Sequence, residues 1–366
     1  MKQANTKTKA AECRVAYFGF NDPRHYARGV EYVILTQATA CERALYIFLG
    51  PRAEVFRWRG MVCIGLKKDV FWPVRLNLLI RALKARHREL VVHGHNYLMS
   101  AALLARVDLF TVHDGLAYLK KAMGSPSRVY GALEGLVYRK TKTVHYISDY
   151  ARSMAVPTSA RGTVIANTCP REVLTLPEQE QQGTATTGDY ALIVRSIEAR
   201  AGLDLVLDVA ETFRAEQPGF RFVVAGKGPL LEAYREKAQQ RALGNVEFLG
   251  YVPDNQLAAL YQHARVVIVP ALYGEGFGLP VVEGYFFGRT VLASNVCAMP
   301  EVIYCADFLF ENDAASLTSK LRAVLDGSLA LDATTCRDHY ARRFGLARYR
   351  HQFATLYREA LHAGAA

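Results

Sequence analysis

The sequence lacks any run approaching the roughly 20 apolar residues that a membrane-spanning helix requires. It also lacks cysteines at CxxC spacing: its seven cysteines form an odd, scattered set, which favours reduced thiols over disulfides or a zinc site. Residues 1–11 are polar and rich in lysine, without the apolar segment of a signal peptide. We therefore expect a cytoplasmic protein, and we expect any membrane association to be peripheral, at the inner face.

Acidic residues are scarce in one half of the chain. Residues 1–170 contain 26 lysines and arginines against 11 aspartates and glutamates (+15), residues 171–366 contain 19 against 23 (−4), and the two halves sum to +11. This asymmetry favours an anionic partner on the N-terminal side. Because no RNP, helix-turn-helix or zinc-finger pattern accompanies the basic charge, we predict no nucleic-acid partner.

The 366 residues are enough for two globular domains, and short apolar runs alternate with helical patterns, as in parallel sheets with crossover helices. Residues 179–188 are mainly Gln, Thr and Gly and form the best linker. We predict an α/β fold of two Rossmann-like, doubly wound parallel-sheet domains that face each other across a cleft. Strands are predicted at 14–19, 44–49, 61–65, 90–94, 109–113, 143–147, 190–194, 220–225, 246–249, 266–269, 290–293 and 307–310.

The most informative segment is 273–283, Tyr-Gly-Glu-Gly-Phe-Gly-Leu-Pro-Val-Val-Glu, which follows a predicted strand and leads into a predicted helix. Backbone N–H groups and the positive end of the helix dipole at such a junction favour a phosphate. Gly276 and Gly278 let a ligand approach the backbone closely. Glu275 and Glu283 are eight residues apart, and carboxylates are good acceptors for sugar hydroxyls.

The string Glu275-Gly-Phe-Gly-Leu-Pro-x-x-Glu283 resembles the signature of the retaining glycosyltransferases of family 4, in the superfamily "glycosyl transferases group 1" with the GT-B fold. The resemblance implies an acceptor-binding domain at 1–178, a donor-binding domain at 189–345 and a C-terminal segment, 346–366, whose helix returns to the first domain. It also implies transfer of a hexose from a nucleotide-sugar to a glycan or lipid-linked acceptor in polysaccharide biosynthesis. No cofactor and no metal ion would be needed.

The resemblance assigns roles to particular residues. Glu283 would bind the ribose and Glu275 a hexose hydroxyl, while the backbone of Gly276, Phe277, Gly278 and Leu279 would hold the diphosphate. His113 would bind the donor sugar or stabilise charge on it, so that His113 and Glu275 are the candidate catalytic residues. Gly29, in the string Arg28-Gly-Val-Glu31, resembles the family's glycine loop, and His93-Gly-His95-Asn96 a second strand end.

The chain departs from the family pattern at two cations that follow the first strand of the donor domain. Aligned on Gly202, the family's Arg and Lys become Ser196 and Ala201. Arg195 and Arg200 have the same spacing of five, displaced by one residue. We favour a one-residue insertion that lets Arg195 and Arg200 reach the diphosphate, since guanidinium groups suit phosphate oxygens. The alternative is that both are surface arginines.

Several alternatives remain at this point. A catalytically weak GT-B protein could act as a docking module for a membrane or a partner enzyme. A dinucleotide oxidoreductase is disfavoured because the pattern begun by Gly226 and Gly228 lacks its third glycine. The donor could be GDP-mannose, UDP-glucose, UDP-galactose or UDP-N-acetylglucosamine. Segment 70–88 reads either as a basic amphipathic helix on an anionic membrane or as a crossover helix packed on the sheet.

Overall fold

The computed structural model describes residues 11–25, 29–122, 124–125, 127–174 and 188–362. Residues 1–10 of the predicted tail, Arg28 and residues 179–187 of the predicted linker lie outside these ranges. The chain forms two compact units. The first comprises the chain up to Pro170 together with the segment from Leu346 onward, and the second comprises Arg171–Gly345.

The first unit is built on an eight-stranded sheet with the order β3-β4-β2-β1-β5-β6-β7-β8. Its strands are β1 Ala11–Phe18, β2 Cys41–Gly50, β3 Glu54–Trp58, β4 Met61–Lys67, β5 Leu90–Gly94, β6 Val107–Val112, β7 Thr141–Tyr146 and β8 Arg161–Val164. Its α-helices are Gly29–Ala38, Trp72–Arg86, Tyr97–Ala102, Leu116–Ala122, Ser127–Lys140, Asp149–Met154 and Leu346–His362. Apolar runs such as Leu90–Gly94 are buried along their whole length, as strands covered by helices on both faces must be.

One edge of this sheet departs from the predicted all-parallel arrangement. Strand β3 pairs antiparallel with β4, from Glu54↔Gly65 to Trp58↔Met61. Arg59 and Gly60, with φ of 45° and 84°, form the two-residue turn between them, a turn whose positive φ values match the twist of a hairpin. Strand β3 alternates between half-buried and exposed residues, so it offers no continuous apolar run to predict it from.

The second unit has a six-stranded parallel sheet with the order β11-β10-β9-β12-β13-β14. Its strands are β9 Tyr190–Val194, β10 Arg221–Ala225, β11 Val246–Gly250, β12 Val266–Val269, β13 Val291–Ser294 and β14 Leu309–Phe310. Its α-helices are Leu203–Glu216, Leu231–Gln240, Asp254–His263, Leu279–Phe286, Met299–Val302, Ala314–Leu325 and Ala333–Arg343. Counted from β9, this is the Rossmann order 3-2-1-4-5-6, whose direction reverses between β9 and β12.

The two-domain α/β prediction is confirmed, and the predicted bounds of β5, β9 and β12 agree with the structure. The boundary of the first unit differs: it lies after Pro170 rather than at 178. The physical reason is that Arg171 and Glu172 already bond within the second unit, to Asp254 and Tyr340. No helix in the described ranges is both long and apolar enough to cross a membrane.

Candidate active site

Arg195 and Glu275 meet where the strand order of the second unit reverses. Arg195 directly follows β9, and Glu275 lies in the loop after β12, the strand that pairs with β9. Arg195 Nη1 donates to Glu275 Oε2 over 2.5 Å, and the two side chains are only 5% and 20% exposed. The N–H of Gly278 donates to Glu275 Oε1 at 3.0 Å. One carboxylate therefore connects the end of β9 to the start of the helix Leu279–Phe286.

The guanidinium of Arg195 has unused donor capacity. Its Nε is buried, and no acceptor in the described part of the chain bonds to it. A buried donor without a partner costs about 1–3 kcal/mol, and more when the group is charged. An anion that accepted a hydrogen bond from this guanidinium would remove that cost.

Glycine is required at two positions around this pair. Gly278, with φ of 87°, is the residue before the helix Leu279–Phe286, and a Cβ there would collide with Met299. Gly226, with φ of 153°, packs so closely that a Cβ would collide with the carbonyl of Arg195. Both values lie in a region that side chains disfavour. The close approach of the Gly226 backbone to Arg195, and the positive φ of Gly278 before the helix, are therefore part of how Arg195 and Glu275 are placed.

Arg200 bonds to the backbone of the glycine loop, and its predicted contact with the diphosphate stays a prediction. Its Nη1 donates to the carbonyl of Gly274, and its Nε lies 3.3 Å from Glu198 Oε2. The N–H of Leu272 donates to the carbonyl of Arg200 at 3.0 Å. The guanidinium thus holds the backbone at the start of the glycine loop, immediately before Glu275.

Glu283 lies inside the helix Leu279–Phe286 and is only 5% exposed. The hydroxyl of Tyr261 donates to its Oε2 at 2.7 Å, and Arg171 Nε lies 3.3 Å from its Oε1. Arg171 also pairs with Asp254, while the ring of Tyr261 stacks on Phe287. The carboxylate is thereby fixed from both sides, and each oxygen keeps a second lone pair.

In the first unit, two predicted site residues are in contact. His95 follows β5 and His113 follows the adjacent parallel strand β6, and His95 Nδ1 lies 2.9 Å from His113 Nε2. Burial, and secondarily the neighbouring His145, lower the pKa of His113 to about 3. His113 is therefore a neutral imidazole at physiological pH, and none of the described residues bonds to its Nδ1.

Behind this pair runs a chain of buried hydrogen bonds whose direction can be deduced. His145 Nε2 is 2.9 Å from the carbonyl of Ile165, which can only accept, so this nitrogen carries the proton. His145 Nδ1 is then an acceptor for the hydroxyl of Thr111 at 2.9 Å. Since that hydroxyl has given its only proton, His93 Nε2, 2.7 Å away, donates to it.

The chain of hydrogen bonds continues to the C-terminal helix Leu346–His362. His93 Nδ1 must accept, and the hydroxyl of Tyr357 donates to it at 3.2 Å. The hydroxyl of Tyr17 then donates to Tyr357 at 2.7 Å. The histidines stay neutral because burial lowers the pKa of His93 and His95 well below the usual value and that of His145 to about 4.

Two further predictions concern the first helix. Gly29 begins the helix Gly29–Ala38, and Arg28 beside it lies outside the described residues. Glu31 is 1% exposed and accepts a hydrogen bond from the side chain of Asn21 at 3.3 Å. Across the described ranges, His, Cys, Asp and Glu form no group of three or more that could hold a metal ion.

Comparison with known proteins gives a family match within the second unit. Residues 177–339 match the family "Glycosyl transferases group 1". This part of the chain is a group 1 glycosyltransferase domain. The chain is 25% identical over 269 residues to the O-antigen chain mannosyltransferase B of Escherichia coli, covering 69% of either chain. It is 37% identical over 113 residues to the O-antigen chain mannosyltransferase C of Escherichia coli, covering 30% of this chain and 29% of that protein.

The fold of the glycosyltransferase is the GT-B fold. It resembles Anabaena Alr3699/HepE, solved in complex with UDP-glucose, with a TM-score of 0.74 at 14% identity, covering 93% of this chain and 98% of that one. At this identity the likeness shows the fold alone. The recognition of a group 1 glycosyltransferase from Glu275-Gly-Phe-Gly-Leu-Pro-x-x-Glu283 is thus confirmed, and the narrower assignment to family 4 stays a prediction.

The structure brings together residues that are separated in the sequence. Arg195 and Glu275 form one pair, and His95 and His113 another. The predicted roles of these residues, of Glu283 and of the 276–279 backbone stay predictions.

Arg171 and His145 were not among the predicted site residues. His145 is the penultimate residue of β7, as His93 is of β5, so a histidine near the end of a strand was an available signal. Arg171 carries no such signal, because its partners are 83 and 112 residues away.

Proposed function

We propose that the protein is a retaining glycosyltransferase that moves a hexose from a nucleoside-diphosphate sugar to a hydroxyl of a glycan or lipid-linked oligosaccharide. The observation that carries the proposal is the arrangement around Glu275: a buried arginine, a carboxylate and a helix N-terminus at the strand ends where the sheet order reverses. Ligands of doubly wound sheets bind at this point. The relatives named O-antigen chain mannosyltransferases support the acceptor class.

The leaving diphosphate requires stabilisation of the negative charge that develops on it. Preorganised donors in a water-poor site are effective for this, because they need not reorganise during the reaction. Arg195 has an unbonded buried Nε and is fixed by Glu275. With the N-terminus of Leu279–Phe286 it provides positive potential without a metal ion, so we propose that the reaction proceeds without one.

The two glutamates bind hydroxyl groups of the donor, one on the hexose and one on the ribose. A carboxylate can accept about four hydrogen bonds, and the described contacts of Glu275 with Arg195 and Gly278 leave room for a hexose hydroxyl. Glu283, held by Tyr261 and Arg171, binds the ribose. We propose His113, kept neutral by burial, as the residue of the first unit that contacts the transferred sugar.

A transfer assay tests the proposal. Purified protein is given GDP-mannose, UDP-glucose, UDP-galactose or UDP-N-acetylglucosamine in EDTA, with a lipid-linked oligosaccharide acceptor, and the product anomer is determined by NMR. Because the relatives are named mannosyltransferases, we expect turnover with GDP-mannose and an α-linked product. Glu275→Ala should lower kcat/KM by at least about 100-fold, the size expected for losing one such group, whereas the exposed Glu247→Ala should not.

Other outcomes each correct a particular point. A β-linked product would overturn retention, and activity that EDTA abolishes would overturn metal independence. Binding of a nucleotide-sugar without turnover on any acceptor would favour the docking protein. One observation speaks for that second function: Arg200 holds the Gly274 carbonyl, so the second expected cation is engaged by the protein itself.

A further inference from the structure

The helix Trp72–Arg86 has two different apolar faces. Leu76 and Ile80 are buried, and Leu79 and Leu83 pack with them against the core of the first unit, as a crossover helix requires. The opposite side carries Phe71, Val74 and Leu78, which are 62%, 56% and 61% exposed. Packing on the sheet therefore accounts for one face of this segment and leaves the other unexplained.

A second segment extends this exposed face. The side chain of Asn77 accepts a hydrogen bond from the N–H of Leu104 at 2.7 Å and donates to the carbonyl of Ala102 at 3.0 Å. These bonds hold the loop beside the helix, and Leu104 is 86% exposed there. We name the apolar patch after its members, which are Val70, Phe71, Val74, Leu78 and Leu104. Exposed apolar side chains gathered on one helix face and the loop bonded beside it are typical of an interaction site.

The surroundings of the apolar patch are strongly basic. Residues 67–106 contain eight lysines and arginines against two acids, a net charge of +6. One of the acids, Asp69, is neutralised by Arg75 at 2.9 Å. Arg81, Arg86 and Arg106 are exposed, and no ion pair is found for them among the described residues. Lys84 differs from them because it lies 3.3 Å from Asp108.

We propose that the apolar patch, with Arg81, Arg86 and Arg106 around it, binds the surface of an anionic lipid bilayer. Apolar side chains enter the boundary between headgroups and acyl chains, and the arginines pair with lipid phosphates. The region around the patch has few acidic residues and is positively charged. It is therefore complementary to the negative surface of an anionic bilayer. A nucleic acid would leave the five apolar side chains without a role. The proposal is independent of the proposed function, since it needs neither a donor sugar nor turnover.

Sedimentation with vesicles tests this binding without any sugar substrate. The full chain is mixed with vesicles of phosphatidylcholine alone or with 30% phosphatidylglycerol, at about 50 mM and about 500 mM NaCl. We expect binding to the anionic vesicles, weakened by salt. Each basic residue near such a surface raises the affinity for it about five-fold. Arg81→Glu, Arg86→Glu and Arg106→Glu together should therefore weaken binding on the order of 100-fold. Phe71→Ser, Val74→Ser and Leu78→Ser together should weaken it by at least about ten-fold.

Matched control variants show whether binding depends on this surface or on the overall charge and hydrophobicity of the protein. Arg214→Glu, Lys320→Glu and Arg337→Glu together make the same change of charge in the second unit and should bind as the wild type does. Val55→Ser with Val129→Ser removes exposed valines elsewhere in the first unit and should also leave binding unchanged. Circular dichroism melting identifies any variant that has lost its fold.

Three results would overturn the proposal. The first is equal binding by the wild type and both patch variants. The second is equal loss in the charge-matched control, which would indicate net charge alone. The third is absence of vesicle binding at low salt together with self-association that Phe71→Ser, Val74→Ser and Leu78→Ser abolish, which would show a second copy of the chain as the occupant.

Discussion

The two units each contain a buried polar network, and the two networks differ in charge. In the first unit, the chain of hydrogen bonds from Tyr17 to Ile165 passes through imidazoles and hydroxyls and carries no charge. In the second unit, the network around the glycine loop is ionic, with Arg195 against Glu275 and Arg171 against Glu283 and Asp254. Neutral networks cost less to desolvate, whereas ion pairs require both partners. We therefore expect the first unit to respond to pH and the second to loss of a single charge.

The difference in charge between the two buried networks also matters for the proposed chemistry. Under the proposed function, the second unit binds a diphosphate and needs positive charge that is already in place, and the buried ion pair with Glu275 holds the Arg195 guanidinium in position. A histidine that contacts a sugar at neutral pH is more useful as an uncharged donor and acceptor. The low pKa of His113 keeps it in that state.

The largest effect should follow from breaking the ion pair of the second unit. Glu275→Gln leaves the Arg195 guanidinium buried without its counter-charge, which should lower the free energy of unfolding by about 3 kcal/mol. The matched control is Glu247→Gln, because Glu247 pairs with Arg221 at 3.3 Å where both side chains are more than half exposed. It should cost less than about 1 kcal/mol. Urea unfolding of both variants measures the difference, and equal costs would contradict the contrast between the units.

The second-largest effect should be a loss of stability of the first unit at acidic pH. Unfolded histidine has a pKa of about 6.5, whereas burial lowers the pKa of His145 to about 4 in the fold. Between these values the unfolded chain binds more protons, so stability falls as pH falls. Above pH 6.5, His145 contributes its full stabilisation to the free energy of unfolding, about 3 kcal/mol. This contribution is lost by pH 4.

Hydrogen exchange in β7 and in β12 between pH 7 and 5 follows the acid response of the two units. Protection should fall faster in β7, and His145→Asn should flatten that dependence. Equal losses of protection in β7 and β12 would argue against the buried histidines as the cause of the pH dependence.

The smallest effect should come from shortening the chain of hydrogen bonds. Tyr357→Phe removes the donor to His93 Nδ1 and the acceptor for Tyr17, which should cost about 1–3 kcal/mol. Tyr251→Phe, at a tyrosine that is 65% exposed, should be neutral. Thermal melting measures both. A neutral Tyr357→Phe would mean that these hydroxyl bonds contribute little to stability.

Much of the fold could be predicted from the sequence because parallel strands buried on both faces appear as continuous apolar runs. Strands β9 and β12 are examples. Strand β3 could not be predicted in this way, since an edge strand half in solvent has no such run. Strand β8, Arg161–Val164, is likewise exposed and short.

The candidate site was predictable where it is local and unpredictable where it is not. The glycine loop and its two glutamates are contiguous in the sequence, so their chemistry could be inferred directly. The contacts of Arg171 with Asp254 and of His93 with Tyr357 join residues 83 and 264 positions apart. Only the order of strands in each sheet, and the position of the C-terminal helix, brings these partners together.

The C-terminal helix has a consequence for how the protein is made. The first unit is interrupted in the chain, because residues 171–345 form the second unit before Leu346–His362 completes the first. At about 5–20 residues per second, a ribosome needs on the order of ten to forty seconds to proceed from Ile165 to Tyr357. During that time His93 lacks the hydroxyl that donates to it. The unit whose synthesis begins first is therefore the last to finish folding, after its neighbour has had time to close around Arg195 and Glu275.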